Sequence, residues 1–196
     1  DLFCGAGGFS YGMHKNSHFK TVVAIDFNEK AADTFKKNMP DTEVIVGDIT
    51  DDKTKDRIIT ESKLKGVNMI IGGPPCQGFS MKGKKLGLND PRNFLFMEYL
   101  NLVQEIQPEV FVIENVKSLL NTAGGWFKDE ILNYIHKLGY KVQYGVLNAK
   151  KFGVPQARER AIFICSKHKD ITLPKGTESI VTVRDAIEDL AYLESG

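Results

Sequence analysis

Cys76 stands where a cysteine can do covalent chemistry. It lies in the segment GGPPCQGFS, residues 72–80, just after a short apolar run that predicts a strand. The two prolines fix their φ angles and carry no N–H, so the thiol is held at a rigid turn beyond the strand. A cysteine used for packing lies more naturally inside a strand, as Cys165 does. The position predicts a nucleophile that reacts as the thiolate.

The other two cysteines, Cys4 and Cys165, are predicted to be packing residues. The sequence contains no C-x-x-C pair and no cysteine near a suitable histidine. We therefore expect neither a disulfide framework nor a metal site, and this cysteine usage fits a reducing cytoplasm.

Chemically useful residues also follow the other predicted strands. In chain order, the strand ends carry a glycine turn (residues 5–8), Asp26, Asp48, the Cys76 turn and Glu114. In doubly wound α/β folds, ligands bind outside the carboxyl ends of the strands. Five consecutive strand ends of this kind therefore predict one shared site.

The elements that must position these residues alternate along the chain. Apolar runs predict strands at residues 2–3, 21–25, 43–46, 67–71, 109–113, 141–147 and 161–165. Amphipathic segments predict helices at residues 9–15, 29–38, 52–63, 92–106 and 127–138. The alternation predicts an α/β fold, with a doubly wound, mostly parallel sheet covered by helices on both faces.

The glycine turn after the first strand predicts a nucleoside site. Residues without bulky side chains let the backbone turn tightly and approach a ligand. Asp26 is placed to accept hydrogen bonds from ribose hydroxyls, and Asp48 from an adenine amino group. A dinucleotide fingerprint would require glycine at Ser10, so an adenosyl ligand without phosphates is favoured over NAD.

Four segments resemble, in order, the signature motifs of the cytosine-C5 DNA methyltransferase family. They are DLFCGAGG (residues 1–8), PPCQGFS (74–80), ENV (114–116) and QARER (156–160), and two weaker matches are GDIT (47–50) and DPRNFLF (90–96). The similarity extends to about residue 165. It implies the Rossmann-like fold of methyltransferases that depend on S-adenosylmethionine.

The resemblance implies a covalent mechanism on a cytosine flipped out of the duplex. Cys76 matches the nucleophile that adds to carbon 6 and makes carbon 5 reactive. Glu114 matches the carboxylate that holds ring N3 and the exocyclic amine, and Arg160 matches the cation at O2. Arg158 is expected to support the site or a phosphate. No side chain matches the base that removes the carbon-5 proton, so we expect an ordered water in that role.

The resemblance also implies where cofactor and DNA bind. The residues expected at S-adenosylmethionine, whose product is S-adenosylhomocysteine, are Phe3, Gly5, Ala6, Gly7, Gly8, Asp26, Phe27, Asp48, Ile49, Pro75 and Leu95. The residues expected at the DNA are Pro74, Gln77, Ser80, Lys82, Lys84 and Lys85. The lysines belong to a basic, glycine-spaced loop (residues 80–90) that would meet phosphates on closing over the flipped base.

Residues 1–181 are predicted to form the cofactor-binding and catalytic domain, and residues 182–196 to begin the connection to a target-recognition region. In the family, that region carries most of the sequence-reading contacts, and its absence agrees with a net charge of only +1. We expect double-stranded DNA as partner, with a C-terminal part or a second polypeptide supplying recognition. No apolar run is long enough to span a bilayer, and the compact chain fits a bacterial cytoplasmic modification enzyme.

Three other readings of the sequence stay open at this stage. Relatives that act on tRNA share the nucleophile and acid motifs, so a tRNA cytosine-C5 methyltransferase is one alternative. A catalytic fragment or subunit that is inactive without its C-terminal part is the second. A nicotinamide dehydrogenase is a remote third, which NAD binding without S-adenosylmethionine binding would favour.

Overall fold

The structure is a computed structural model that describes residues 1–16, 18–75 and 94–193. In this part of the chain the strands are β1 (Val23–Asp26), β2 (Glu43–Val46), β3 (Met69–Gly72), β4 (Val110–Val116), β5 (Lys141–Asn148) and β6 (Glu159–Ser166). The helices are α1 (Gly8–His14), α2 (Glu29–Asn38), α3 (Asp52–Leu64), α4 (Phe94–Ile106), α5 (Trp126–Lys137) and α6 (Val183–Ile187). Short 3-10 turns cover Lys117–Leu120, Thr122–Gly125, Ala149–Phe152 and Glu188–Leu190.

The strands form a mostly parallel sheet, as predicted. β1 pairs in parallel with β2 and β3 with β4, while β6 lies antiparallel between β4 and β5. Leu2 joins the two halves, because it bridges in parallel to Ile25 of β1 and to Gly72 of β3. The predicted strand at residues 2–3 is thus reduced to Leu2, since Phe3 has a φ of 59° and turns the chain out of the sheet.

Helices cover both faces of the sheet, which confirms the doubly wound α/β prediction. Successive side chains of a strand point to opposite faces. On β1, Ala24 packs in a small cluster with Phe35 of α2. Its neighbours Val23 and Ile25 belong to the larger core, which includes Ile58 of α3 and side chains of α4 and α5.

Side-chain caps explain why α2 and α3 begin where the sequence predicts. Asn28 Oδ1 accepts a hydrogen bond from the Ala31 N–H at 3.1 Å, and Asp51 Oδ2 accepts one from the Thr54 N–H at 2.9 Å. The predicted ends of α1, α3 and α5 differ from the observed ends by one residue. The predicted start of α4 at Arg92 lies outside the described residues.

Beyond β6 the described chain lies mostly on the surface. Val183, Ile187, Leu190 and Tyr192 are exposed apolar residues around α6. A capping box between Thr182 and Asp185 begins that helix. No helix in the described ranges is long and apolar enough to cross a membrane.

Candidate active site

The predicted site residues converge at the carboxyl edge of the sheet. Asp26 ends β1, Asp48 follows β2, and Pro74 and Pro75 follow β3. Glu114 lies near the end of β4, two residues before Val116. Cys76 and the predicted DNA-contacting residues Gln77, Ser80, Lys82, Lys84 and Lys85 lie outside the described residues.

The glycine turn fixes the carboxylate of Asp26. The Gly5 N–H donates to Asp26 Oδ2 at 2.7 Å, and the Asn28 N–H donates to Oδ1 at 2.9 Å. Gly7 has a φ of 93°, and a Cβ there would lie 2.6 Å from Met39 Cε, so a side chain at this position would clash with the residues behind the turn. Ala6 and Gly8 complete the turn. The predicted glycine residues thus hold the acid in one orientation.

Beside this turn is a cavity of about 230 Å³. Of the predicted cofactor residues, it is lined by Phe3, Asp26, Phe27, Asp48, Ile49, Pro75 and Leu95. Ile25, Gly47 and Phe94 also line it and were not predicted. Each of these three is the chain neighbour of a predicted residue, which is the signal that could have identified them.

The lining suits a nucleoside better than a phosphate-bearing ligand. Its walls are apolar, its charged members are Asp26 and Asp48, and no lysine or arginine of the described chain lines it. Asp48 Oδ1 accepts from the Thr50 N–H and hydroxyl at 2.9 and 2.8 Å, while Oδ2 has no partner among the described residues. Two carboxylates without a facing cation favour a ligand with hydroxyl and amino donors over one that brings phosphates.

Two phenylalanines of this cavity sit in costly positions. Phe27 is 78% exposed, and Phe3 has a left-handed φ of 59°. A non-glycine residue at such a φ costs about 1–3 kcal/mol and is found most often at functional sites. A flat ring bound against Phe27 would cover its exposed face.

Glu114 and the two predicted arginines form one ion-paired cluster. Glu114 Oε1 lies 2.8 Å from Arg160 Nε and 3.5 Å from Arg158 Nη2. In the β4–β6 pairing, Val116 lies opposite Arg160 and Glu114 opposite Ile162, so Glu114 and Arg160 are diagonal neighbours on one face. The Glu114 and Arg160 side chains are each 28% exposed, so a ligand can still reach them.

Asn115 is a site residue whose role the sequence did not reveal. Its buried amide donates from Nδ2 to the Pro74 carbonyl at 2.9 Å, and its Oδ1 accepts from the Val116 N–H at 2.9 Å. It therefore ties β4 to the segment that leads into Cys76. At Gly73, a Cβ would lie 3.2 Å from Glu114 Oε2, so this segment also passes close to the acid. Its place beside Glu114 in the ENV motif was the available signal.

The opposite edge of the sheet holds a second cavity, of about 170 Å³. Its lining includes Val22, Lys65 and Met69, and none of the predicted site residues. In the described residues, no group of three or more histidine, cysteine, aspartate or glutamate side chains could hold a metal ion.

Comparisons with known proteins identify the family of the chain. The family profile "C-5 cytosine-specific DNA methylase" matches residues 1–192. The Type II methyltransferase M1.HphI of Haemophilus parahaemolyticus is 41% identical over 200 residues, covering 100% of this chain and 53% of the relative. The Type II methyltransferase M.AquIA of a Picosynechococcus species is 43% identical over 173 residues, covering 83% of this chain and 69% of the relative. The chain spans about half the length of most curated relatives that it matches.

Solved structures show the same fold. A candidate DNA modification methyltransferase encoded within an E. coli prophage superimposes with a TM-score of 0.75 at 30% identity, over 95% of this chain and 53% of that one. The S. pombe Dnmt2 methyltransferase superimposes with a TM-score of 0.68 over 100% of this chain and 55% of that one. At 21% identity, the second likeness concerns the fold alone.

Proposed function

Because the chain belongs to the C-5 cytosine-specific DNA methylase family, we propose that it is the catalytic part of a bacterial modification methyltransferase. The reaction transfers a methyl group from S-adenosylmethionine to carbon 5 of a cytosine in DNA. One observation carries the proposal: an acid paired with two arginines lies at the same sheet edge as an apolar cavity with two carboxylates.

S-adenosylmethionine is the methyl donor of this family, and when bound it supplies an electrophilic methyl group on a sulfonium sulfur. The cavity residues fit its adenosyl part. Asp26, held by the Gly5 N–H, would accept from the ribose hydroxyls. Asp48 Oδ2, which has no partner in the part of the chain that the structure describes, would accept from the adenine amino group. Phe3 and Phe27, which line the cavity, would pack against the adenine ring.

The chain's own residues activate the cytosine. The Cys76 thiolate forms a bond from Sγ to carbon 6. At the same time Glu114 gives a proton to ring N3, which neutralises the negative charge that the thiolate brings to the ring. Arg160 donates to O2, where negative charge also develops. After carbon 5 has accepted the methyl group, its proton passes to water. The electrons of the broken carbon 5–hydrogen bond re-form the double bond between carbons 5 and 6, Cys76 leaves as the thiolate, and N3 returns its proton to Glu114.

Before the base arrives, Glu114 and Arg160 satisfy each other. The 2.8 Å contact compensates the negative charge of the Glu114 carboxylate. An incoming cytosine offers an acceptor at O2 to Arg160. To Glu114 it offers an acceptor at N3, which takes the carboxyl proton, and a donor at the exocyclic amine. Each side chain therefore replaces its ion-pair partner with atoms of the base. Arg158, at 3.5 Å and 48% exposed, is free to hold Glu114 as this exchange takes place.

Double-stranded DNA is the proposed substrate, and target recognition is assigned to a C-terminal part or a second polypeptide. We place the catalytic domain at residues 1–181. The support for this boundary is the row of exposed apolar side chains after it, Val183, Ile187, Leu190 and Tyr192. A cluster of this kind is typical of a surface that another unit covers.

Methyl transfer tests the proposal directly. The protein is incubated with methyl-labelled S-adenosylmethionine and unmethylated genomic DNA, with tRNA in a parallel reaction. We expect label in DNA as 5-methylcytosine, and none with Glu114→Gln. Label in tRNA alone would show that the substrate is RNA. Label in neither, with a C-terminal part of a relative added, would refute the proposed activity.

A further inference from the structure

The sheet brings several cations to the edge where Glu114 lies. β4 and β5 run in the same direction and β6 runs against them, so the ends of β4 and β5 and the start of β6 lie together. Lys117 directly follows β4, Lys150 and Lys151 follow β5, and Arg158 directly precedes β6. These four residues are named here the basic strip.

The backbone under the basic strip is held firmly. The Ala149 N–H donates to the Arg158 carbonyl at 2.9 Å, which joins the turn after β5 to the start of β6. Asn148 Oδ1 accepts from the Lys150 N–H at 3.2 Å, and the Thr177 N–H donates to the Lys151 carbonyl at 2.7 Å. The positions of the lysine Cα atoms are therefore fixed although their side chains reach solvent.

The ammonium groups of Lys150 and Lys151 have no ion-pair partner among the described residues. Lys117 pairs with Glu159, and its ammonium holds the pKa of that carboxyl below its usual range, with a smaller effect from Lys150. The strip is therefore a local excess of positive charge on a chain whose net charge is only +1. Such an excess on a rigid edge is the electrostatic footprint of a bound polyanion.

We propose that the basic strip binds phosphates of the DNA backbone beside the flipped cytosine. The inference rests on the proposed function and extends it to Lys117, Lys150 and Lys151, which lie outside the family motifs. Arg158 connects the two regions, because its guanidinium lies 3.5 Å from Glu114 while its carbonyl anchors the turn that carries Lys150 and Lys151. The DNA strand that delivers a base to Glu114 therefore passes the basic strip. Its phosphates meet the ammonium groups of Lys150 and Lys151, which have no ion-pair partner among the described residues.

The salt dependence of DNA binding tests this assignment. Binding of a fluorescent duplex is measured by anisotropy over a range of salt concentrations for the wild-type protein and for Lys150→Gln/Lys151→Gln. Each lost phosphate contact reduces the slope of log Kobs against log salt by about one, so we expect a slope shallower by about two. Affinity for S-adenosylmethionine, measured by calorimetry, should stay at the wild-type value.

Lys36→Gln/Lys37→Gln is the matched control. These exposed lysines lie in the last turn of α2, which leads back to the opposite edge of the sheet, and the substitution removes the same charge. We expect the control to keep the wild-type slope. Equal slopes for the two double variants would overturn the inference, while the proposed methyltransferase function would still stand.

Two further outcomes separate the inference from the proposed function. If the wild-type protein methylates DNA but the strip variant loses affinity only for tRNA, the assignment of the strip to DNA is wrong. If the wild-type protein neither binds duplex DNA nor methylates it, the proposed function and the inference both fail.

A charge-reversed variant, Lys150→Glu/Lys151→Glu, should bind duplex DNA more weakly than the glutamine variant. Equal affinity of the two variants for the duplex would also contradict the phosphate contacts.

Discussion

Asn115→Ala removes the side chain that ties β4 to the segment before Cys76. The hydrogen bonds lost include the donation to the Pro74 carbonyl and the acceptance from the Val116 N–H, each 2.9 Å long in the native protein. A net contribution of about 1 kcal/mol for each bond, plus the small cavity left behind, gives a loss of about 2–3 kcal/mol in the free energy of unfolding. For a chain of this length, that loss corresponds to a Tm lower by roughly 5–10 °C.

The same change should slow covalent chemistry more than it weakens cofactor binding. Pro74 is two residues from Cys76, so releasing its carbonyl misplaces the thiol, and a displacement of about 1 Å costs roughly 100-fold in rate. The assay is the rate at which the protein forms an adduct with a duplex that contains 5-fluorocytosine, at saturating S-adenosylmethionine. We expect adduct formation to fall at least 10-fold, while the Kd of the cofactor changes by less than about 2-fold.

Tyr140→Phe is the control for lost stability alone. The Tyr140 hydroxyl is also buried and also donates to a proline carbonyl, that of Pro108 before β4, at 2.6 Å, but at the opposite edge of the sheet. The Tyr140→Phe variant should have a lower Tm but form the adduct at the wild-type rate. If Asn115→Ala lowered Tm and left the rate of adduct formation at the Tyr140→Phe value, Asn115 would be a structural residue only.

Three more results are expected from the same geometry. Burial raises the pKa of the Cys4 thiol to about 12 and that of the Cys165 thiol further. At mildly alkaline pH, iodoacetamide should therefore label Cys76 first, and the other two cysteines should react only in denaturant. Peptide mass spectrometry identifies the labelled cysteine. Preferential labelling of Cys4 in the folded protein would contradict the assignment. Phe27→Ala should weaken S-adenosylmethionine binding about 5-fold in calorimetry with no fall in Tm, because the ring is exposed; an unchanged Kd would remove it from the site. Glu114→Gln should reduce single-turnover methyl transfer roughly 100- to 10,000-fold with cofactor binding retained, and wild-type turnover would exclude its role as proton donor.

The fold was predictable where local signals decide the structure. Apolar runs of Val and Ile marked the strands, and Asn28 and Asp51 marked the starts of α2 and α3 through their caps. The place of β6 was not predictable, because its antiparallel pairing between β4 and β5 depends on contacts far apart in sequence. Phe3 was misassigned to a strand because a left-handed φ at a bulky residue has no sequence signal.

The site was predictable where a residue with a reactive or charged side chain follows a predicted strand. Asp26 and Asp48 follow strands, and the structure brings both to one cavity. Asn115 was missed because a buried amide and an exposed one look alike in sequence, and its partner Pro74 is 41 positions away. The three lysines of the basic strip were missed because net charge averages over the whole chain, whereas the strip depends on which turns the sheet places together.

Covalent trapping with 5-fluorocytosine duplex DNA tests the central claim most directly. In the presence of S-adenosylmethionine, the wild-type protein should form a denaturant-resistant adduct whose DNA-bearing peptide contains Cys76. Cys76→Ala should bind the cofactor normally and form no adduct. An adduct that persists in Cys76→Ala, or one that maps to Cys4 or Cys165, would contradict the account.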